Sequence, residues 1–121
     1  MKTVVITGAS GLLGRAILSK FLNSNSYDKV IGTAFSRSGE NLVKVDLTDL
    51  EQIEKFVQET RPDVLIHSAA QRFPDKMQKD PEAARKLNVE ATRALAIALS
   101  NIIFDRIRKE HLSILNFAAV F

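Results

Sequence analysis

The chain has 121 residues, a length that suits one small domain with a single hydrophobic core. With 45% apolar residues, 26% charged residues and no cysteine, the sequence is typical of a globular protein and excludes disulfides and thiolate metal sites. The net charge is +3, and the lysines and arginines do not cluster into a basic stripe, which argues against nucleic-acid binding. We see no signal peptide and no apolar run of about 20 residues, so we expect a cytoplasmic protein with no membrane span.

Short β-rich segments alternate with helical segments every 30 residues or so, a pattern typical of βαβ units around a parallel sheet. The predicted strands cover residues 3–7, 29–35, 42–45, 64–68 and, with the weakest pattern, 112–121. The predicted helices cover residues 12–23, a second segment that ends at Arg61-Pro62, and a third that runs from Pro81 to about Ser100. Residues 102–109 could continue the third helix, and the remaining segments are predicted to be loops.

Local signals locate two helix starts. Thr48 and Glu51 have the spacing of a capping box, and Asp80 followed by Pro81 is a typical N-cap and first turn. Helical spacing predicts two buried faces, formed by Leu13, Ala16, Ile17 and Phe21 in the first helix and by Leu50, Ile53, Phe56 and Val57 in the second.

We expect two further groups of polar residues to have structural rather than catalytic roles. We expect His67, at the end of the fourth strand, to be buried and hydrogen-bonded rather than catalytic. We assign Arg72, Lys76 and Lys79 to a solvated loop, with contact to a partner or a phosphate as the alternative.

A glycine turn joins the first strand to the first helix. In such a turn Gly8 permits the tight bend, Gly11 lets a pyrophosphate approach the backbone, and Gly14 lets the helix pack on the strand. The helix N-terminus then offers free N–H groups and a partial positive charge to the anion. The position between a strand and a helix predicts dinucleotide binding, whereas a turn that only connects the two elements is the alternative.

The end of the second strand predicts which dinucleotide is preferred. NAD-binding proteins usually place an acidic residue there to bond the ribose 2′-hydroxyl, and residues 33–38 contain none. Arg37 stands where a cation would meet a 2′-phosphate, with Ser36 or Ser38 as additional donors. We therefore expect NADP in preference to NAD, and Arg37 as a solvated loop residue is the alternative.

Several short motifs resemble the extended short-chain dehydrogenase/reductase superfamily. They are the glycine spacing G-x-x-G-x-x-G after Thr7, Asp46-Leu47, Ser68-Ala69-Ala70, and Asn88 within Leu87-Asn88-Val89. The resemblance implies the N-terminal part, about four or five strands, of a Rossmann-like doubly wound parallel α/β sheet. It also implies a set of cofactor-binding residues: Thr7, Gly8, Ser10, Gly11, Leu12, Leu13, Gly14, Arg37, Asp46, Leu47, Ser68, Ala69, Ala70 and Asn88.

Within this superfamily the sequence is similar to the dTDP-4-dehydrorhamnose reductase group, and most similar to the regulatory beta subunits of methionine adenosyltransferase. The similarity rests on residues 11–15, 69–75 and 81–89 and covers residues 3 to about 99. It implies that residues 1–121 form one incomplete NAD(P)-binding domain in which residues 101–121 are atypical. An incomplete domain is expected to bind NADP more weakly than a full-length relative and to self-associate through an exposed sheet edge.

The catalytic residues of the reductases are missing from the sequence. Reductases of the superfamily use Tyr-x-x-x-Lys and a strand-five hydroxyl for acid–base catalysis, whereas the sole tyrosine here is Tyr27 and the candidate strand reads Asn116-Phe117-Ala118-Ala119. The resemblance therefore implies a non-catalytic regulator that binds the catalytic subunit of methionine adenosyltransferase and modulates S-adenosylmethionine synthesis. The alternatives are a truncated NADPH-dependent reductase of a nucleotide sugar, inactive alone, and a fragment with no function of its own.

Overall fold

A computed structural model describes residues 2–70, 74–110 and 116–119 of the chain. The strands are β1 (Thr3–Thr7), β2 (Lys29–Ala34), β3 (Leu42–Lys44), β4 (Val64–His67) and β5 (Asn116–Ala119). The helices are α1 (Leu12–Leu22), α2 (Leu50–Thr60), α3 (Pro74–Lys79), α4 (Pro81–Arg85) and α5 (Ala91–Glu110), with a π-helical turn, Lys86–Glu90, between α4 and α5.

The strands form one five-stranded sheet in the order β3-β2-β1-β4-β5. Every strand pairing is parallel. The central strand β1 lies between β2 and β4, and its Val5 is paired with Ile31 of β2 and with Leu65 of β4. Reversal of the strand order at β1 is the arrangement of a doubly wound sheet, so the predicted α/β fold is confirmed. The fifth strand is shorter than predicted, and residues 112–115, 120 and 121 of that prediction lie outside the described part.

Helices cover both faces of the sheet, because successive strand residues point to opposite faces. Val4 and Ile6 of β1 face α1, where they pack with Ile17 and Phe21. The alternate residue, Val5, joins the core on the other face, which contains Ile53, Phe56 and Val57 of α2 together with Leu95, Leu99 and Ile102 of α5. All five residues of β1 are buried, as a central strand covered by two helical layers requires.

The inward face of α1 differs from the predicted one. Gly14 is buried, and Ile17, Leu18 and Phe21 pack on the sheet. Leu13, which is 40% exposed, and Ala16 face outward, so their assignment to the core was wrong. The reason is the close approach of α1 to the glycine turn, which only Gly14 permits and which therefore sets the rotation of the helix.

The start of α2 also corrects the sequence analysis. The N-cap is Asp49, whose side chain accepts hydrogen bonds from the backbone N–H groups of Glu51 and Gln52. Thr48 instead donates its hydroxyl to Asp46 at 2.7 Å, so the capping box of Thr48 and Glu51 was wrong. Leu50, predicted to be buried, is 58% exposed, whereas the other three predicted core residues of α2 are buried.

The segment after β4 is more helical than predicted. Part of the expected polar loop forms α3, and Asp80 caps α4 with Pro81 in the first turn, as predicted. The helix beyond continues past Ser100 to Glu110, which confirms the helical alternative for residues 102–109. Arg72 lies outside the described residues.

The helical segment Pro81–Lys109 is long and apolar enough to cross a membrane by length and composition, contrary to our expectation from sequence. Its buried residues Leu95, Leu99 and Ile102 belong to the core shared with the sheet and α2. This packing is that of a core helix in a layered α/β fold.

Candidate functional site

A cavity of about 860 Å³ opens at the carboxyl ends of the strands, where the glycine turn, the segment after β3 and the segment after β4 meet. Ligands of open α/β sheets bind in this crevice, at the point where the strand order reverses. All of the predicted cofactor-binding residues except Thr7 and Arg37 line it, namely Gly8, Ser10, Gly11, Leu12, Leu13, Gly14, Asp46, Leu47, Ser68, Ala69, Ala70 and Asn88.

Two of the three glycines are required by the fold itself. Gly8 has φ +65°, and a Cβ there would lie 2.8 Å from the backbone of Ala69. At Gly14 a Cβ would overlap the carbonyl oxygen of Gly8. The turn needs glycine at both positions whether or not a ligand binds.

Gly11 is different, because its backbone conformation does not require glycine. It is the N-cap of α1 with φ −78°, an ordinary extended conformation. A Cβ there would meet only the carbonyl oxygen of Gly8, at 3.3 Å, a tight contact but far milder than the overlap at Gly14. Since Gly11 lines the cavity and leaves α1 without a side-chain cap, the missing side chain keeps the helix N-terminus open to a ligand.

A hydrogen-bond network beneath the cavity joins β1 to β4. The hydroxyl oxygen of Thr7 accepts hydrogen bonds from the backbone N–H groups of Ser68, at 3.1 Å, and Ala69, at 3.3 Å. Ser68 in turn donates its hydroxyl to the carbonyl oxygen of Thr7 at 2.5 Å. Thr7 is therefore a buried structural residue under the cavity floor, and its side chain positions the segment that carries Ala69 and Ala70.

The same network determines the state of His67. Both lone pairs of the Thr7 hydroxyl are used by backbone N–H groups, so its proton goes to His67 Nδ1, 2.7 Å away. Neutral His67 then carries its own proton on Nε2, which has no hydrogen-bond partner in the described part of the chain. Burial lowers the pKa of His67 below its ordinary value of 6.5, because the charged imidazolium would lose its hydration.

The wall after β3 is held by side chains of the β3–α2 connection. Asp46 accepts hydrogen bonds from both the backbone N–H and the hydroxyl of Thr48. Gln52 links the two ends of the connection, because its Oε1 accepts from the N–H of Asp46 and its Nε2 donates to Asp49. These hydrogen bonds within the chain hold the wall in place.

The cofactor-binding set predicted from sequence leaves out about half of the cavity lining. The residues left out come from the end of β2, from the β3–α2 connection and from the helical segment after β4: Thr33, Ala34, Phe35, Val45, Thr48, Lys76, Lys79, Asp80, Ala83, Ala84 and Leu87. Lys76 and Lys79 lie on α3 at the cavity and not in a loop. The π-helical turn that carries Leu87 and Asn88 has no signal in the sequence, although such turns are frequent at functional sites.

Arg37, the predicted cation for a 2′-phosphate, does not line the cavity. It is exposed, two residues beyond Phe35, which does line it. Lys76 and Lys79 supply the cationic groups of the lining itself. No cluster of metal-ligating side chains occurs among residues 2–70, 74–110 and 116–119.

The cavity can accept an elongated anionic ligand, with phosphate at the N-terminus of α1 and an uncharged part along the mostly apolar walls. A doubly wound sheet with such a turn defines a Rossmann-type nucleotide-binding protein. Residues 4–109 match the family described as NAD dependent epimerase/dehydratase, and the chain belongs to this family.

Relatives of two kinds are similar to the chain. Methionine adenosyltransferase 2 subunit beta of Rattus norvegicus is 40% identical over 95 residues, which make up 78% of this chain and 28% of the relative. A hypothetical dTDP-4-dehydrorhamnose reductase from Sulfolobus tokodaii superposes with TM-score 0.72 at 39% identity over 85% of this chain and 36% of its own.

A third relative was solved with a bound cofactor. The dTDP-4-dehydrorhamnose reductase from Bacillus anthracis, in complex with NADP, superposes with TM-score 0.68 at 31% identity over 84% of this chain and 34% of its own. The chain thus spans about a third of the length of the proteins it matches, and the family match continues past Ser100 to residue 109.

Proposed function

We propose that the chain binds NADP in the cavity at the glycine turn. The observation that carries this proposal is Gly11, a glycine with an ordinary backbone conformation that leaves the N-terminus of α1 uncovered toward the cavity. The pyrophosphate would lie against the first backbone N–H groups of α1, where the helix dipole favours an anion. The cofactor-binding set predicted from sequence stays a proposal for the lining residues and, as a support beneath them, for Thr7.

The preference for NADP over NAD rests on the end of β2. No carboxylate there is available to bond a free ribose 2′-hydroxyl, since β2 ends at Ala34 and continues into Phe35, Ser36 and Arg37. Arg37 is exposed and lies two residues beyond Phe35, which lines the cavity. From there its long side chain could extend back to a 2′-phosphate bound in the cavity. A related reductase that was solved with NADP supports this choice of cofactor.

We further propose that the chain is a non-catalytic regulator, similar in role to the regulatory beta subunit of methionine adenosyltransferase. This proposal is supported by the 40% identity over 95 residues to methionine adenosyltransferase 2 subunit beta of Rattus norvegicus. Tyr27, the tyrosine within these 121 residues, packs edge-on against Phe21 beside α1 and is not among the residues that line the cavity. The proposed partner is the catalytic subunit, the proposed effect is on S-adenosylmethionine synthesis, and the proposed location is the cytoplasm.

Calorimetric titration with NADPH and NADH tests the cofactor. We expect NADPH to bind at least about tenfold more tightly than NADH, and Arg37→Ala to remove most of the difference. Arg93→Ala, which deletes an exposed arginine of α5 away from the cavity, is the matched control and should leave both affinities unchanged. Equal binding of the two nucleotides would overturn the choice of NADP.

Co-purification with the methionine adenosyltransferase catalytic subunit tests the regulatory role. We expect a complex that survives size-exclusion chromatography and changes the rate of S-adenosylmethionine formation. A chain that binds NADPH but neither joins the subunit nor changes this rate would refute the regulatory role.

The second candidate is a nucleotide-sugar reductase, favoured by the similarity to two dTDP-4-dehydrorhamnose reductases. These 121 residues hold no Tyr-x-x-x-Lys to donate the proton, so under the regulatory role we expect them to give no NADPH oxidation with a dTDP-4-keto sugar. Turnover above background, lost in Gly11→Ala, would establish the reductase instead.

A further inference from the structure

Phe35 is an aromatic residue that the fold leaves in solvent. It directly follows the last residue of β2, Ala34, which is only 4% exposed, whereas Phe35 itself is 69% exposed. A large apolar ring in this position gains little from packing within the chain. Phe35 nevertheless lines the cavity, so its ring is available to a ligand there.

The surroundings of Phe35 select the kind of ligand group that fits. In the sheet, β2 lies between β1, which carries the glycine turn, and β3, which leads to Asp46. The half of the cavity on this side of the turn includes the buried aliphatic residues Val45 and Leu47. A flat, uncharged group attached to the phosphates bound at α1 would reach this half of the cavity and meet an exposed aromatic face there.

We propose that the ring of Phe35 stacks on the adenine base of the bound nucleotide and supplies the affinity that an acidic residue at the end of β2 supplies elsewhere through the ribose. This inference rests on the proposed nucleotide binding. Stacking of a base on an aromatic side chain is sequence-tolerant and depends on the π face rather than on hydrogen bonds. The adenine half of the cofactor should therefore bind on its own, whereas nicotinamide mononucleotide should not.

Calorimetry on two variants separates the aromatic face from mere apolar bulk. Phe35→Leu keeps an apolar side chain and is expected to weaken both NADPH and adenosine 2′,5′-bisphosphate by about tenfold, the effect of losing one stacked base. Phe35→Tyr keeps the π face and is expected to bind both within about twofold of the parent chain. Because the ring is exposed, neither change should alter the thermal midpoint of unfolding.

Fluorescence gives a second readout, because the chain has no tryptophan. In Phe35→Trp the new indole should be quenched on addition of adenosine 2′,5′-bisphosphate and unaffected by nicotinamide mononucleotide. The matched control is Phe104→Trp, which changes an equally exposed phenylalanine, 71%, on α5 outside this cavity. Its fluorescence should not respond to either nucleotide.

The outcomes distinguish this inference from the proposed function. If the parent chain binds NADPH and Phe35→Leu binds it equally well, stacking is refuted and NADP binding stands. Equal quenching of the two tryptophan variants would also refute stacking, because it would show non-specific contact. If the parent chain binds neither NADPH nor adenosine 2′,5′-bisphosphate, the proposed function itself is wrong.

Discussion

The residues at the floor of the cavity are constrained by the fold more strongly than those at its rim. The floor consists of Thr7, Gly8 and Gly14 with His67 and Ser68, and nearly every polar atom there is bonded within the chain. The rim consists of Gly11, Phe35 and the lysines of α3, which are exposed. Floor residues are therefore explained by the fold alone, whereas Gly11 and Phe35 are explained by the proposed ligand.

Gly14→Ala should break the floor most severely. Its methyl group would overlap the carbonyl oxygen of Gly8, so α1 must move off the sheet, and we expect a loss of about 3 kcal/mol or more in the free energy of unfolding. Urea denaturation measures the loss. Gly39→Ala is the control, because a Cβ there meets nothing within 4 Å, and it should stay close to the parent chain.

Thr7→Val keeps the volume of the floor but removes its hydrogen bonds. The N–H groups of Ser68 and Ala69 and the Nδ1 of His67 would lose their partner, so we expect a loss of about 2–3 kcal/mol in stability. Ser100→Ala removes an exposed hydroxyl that bonds only the carbonyl of Ala96, and its effect on urea denaturation should be below about 0.5 kcal/mol. Similar losses in the two variants would contradict the role given to Thr7.

The floor should also weaken on acidification through His67. Since burial depresses its pKa, the folded state binds fewer protons than the unfolded state below pH 6.5, and stability falls as the pH drops from 6.5 toward the folded pKa. The slope for one such group reaches about 1.4 kcal/mol per pH unit. Urea denaturation at several pH values measures this slope, which should be smaller in His67→Gln. An equal slope in the variant would assign the acid sensitivity to other groups.

Gly11→Ala should have the smallest effect on stability and a large effect on binding. The contact with Gly8 is far milder than the overlap at Gly14, so we expect a change within about 1 kcal/mol in the free energy of unfolding. In the proposed complex the added methyl group would lie where the phosphates approach α1, so NADPH affinity should fall by at least about tenfold. Normal NADPH binding by a stable Gly11→Ala chain would erase the distinction between floor and rim.

Much of the structure could be predicted from local sequence patterns. The strand–glycine–helix start, the parallel βα alternation and the Asp80-Pro81 helix start depend on neighbouring residues or simple periodicity, and all are found in the structure. The predictions that failed depend on how elements meet. Leu13 and Ala16 fit a helical period, but the contact at Gly14 rotates them outward. Thr48 fits a capping box, but the Asp46 carboxylate takes its hydroxyl.

By itself the sequence determined the class of fold, the glycine turn and most of the cavity lining beside that turn, because these follow from backbone conformation and short-range spacing. Only the tertiary structure decided that Gly11 has an ordinary backbone conformation, that Thr7 bonds His67, and that Phe35 and the α3 lysines reach the cavity. These facts depend on distances between segments that are far apart in the chain, and no local pattern encodes them.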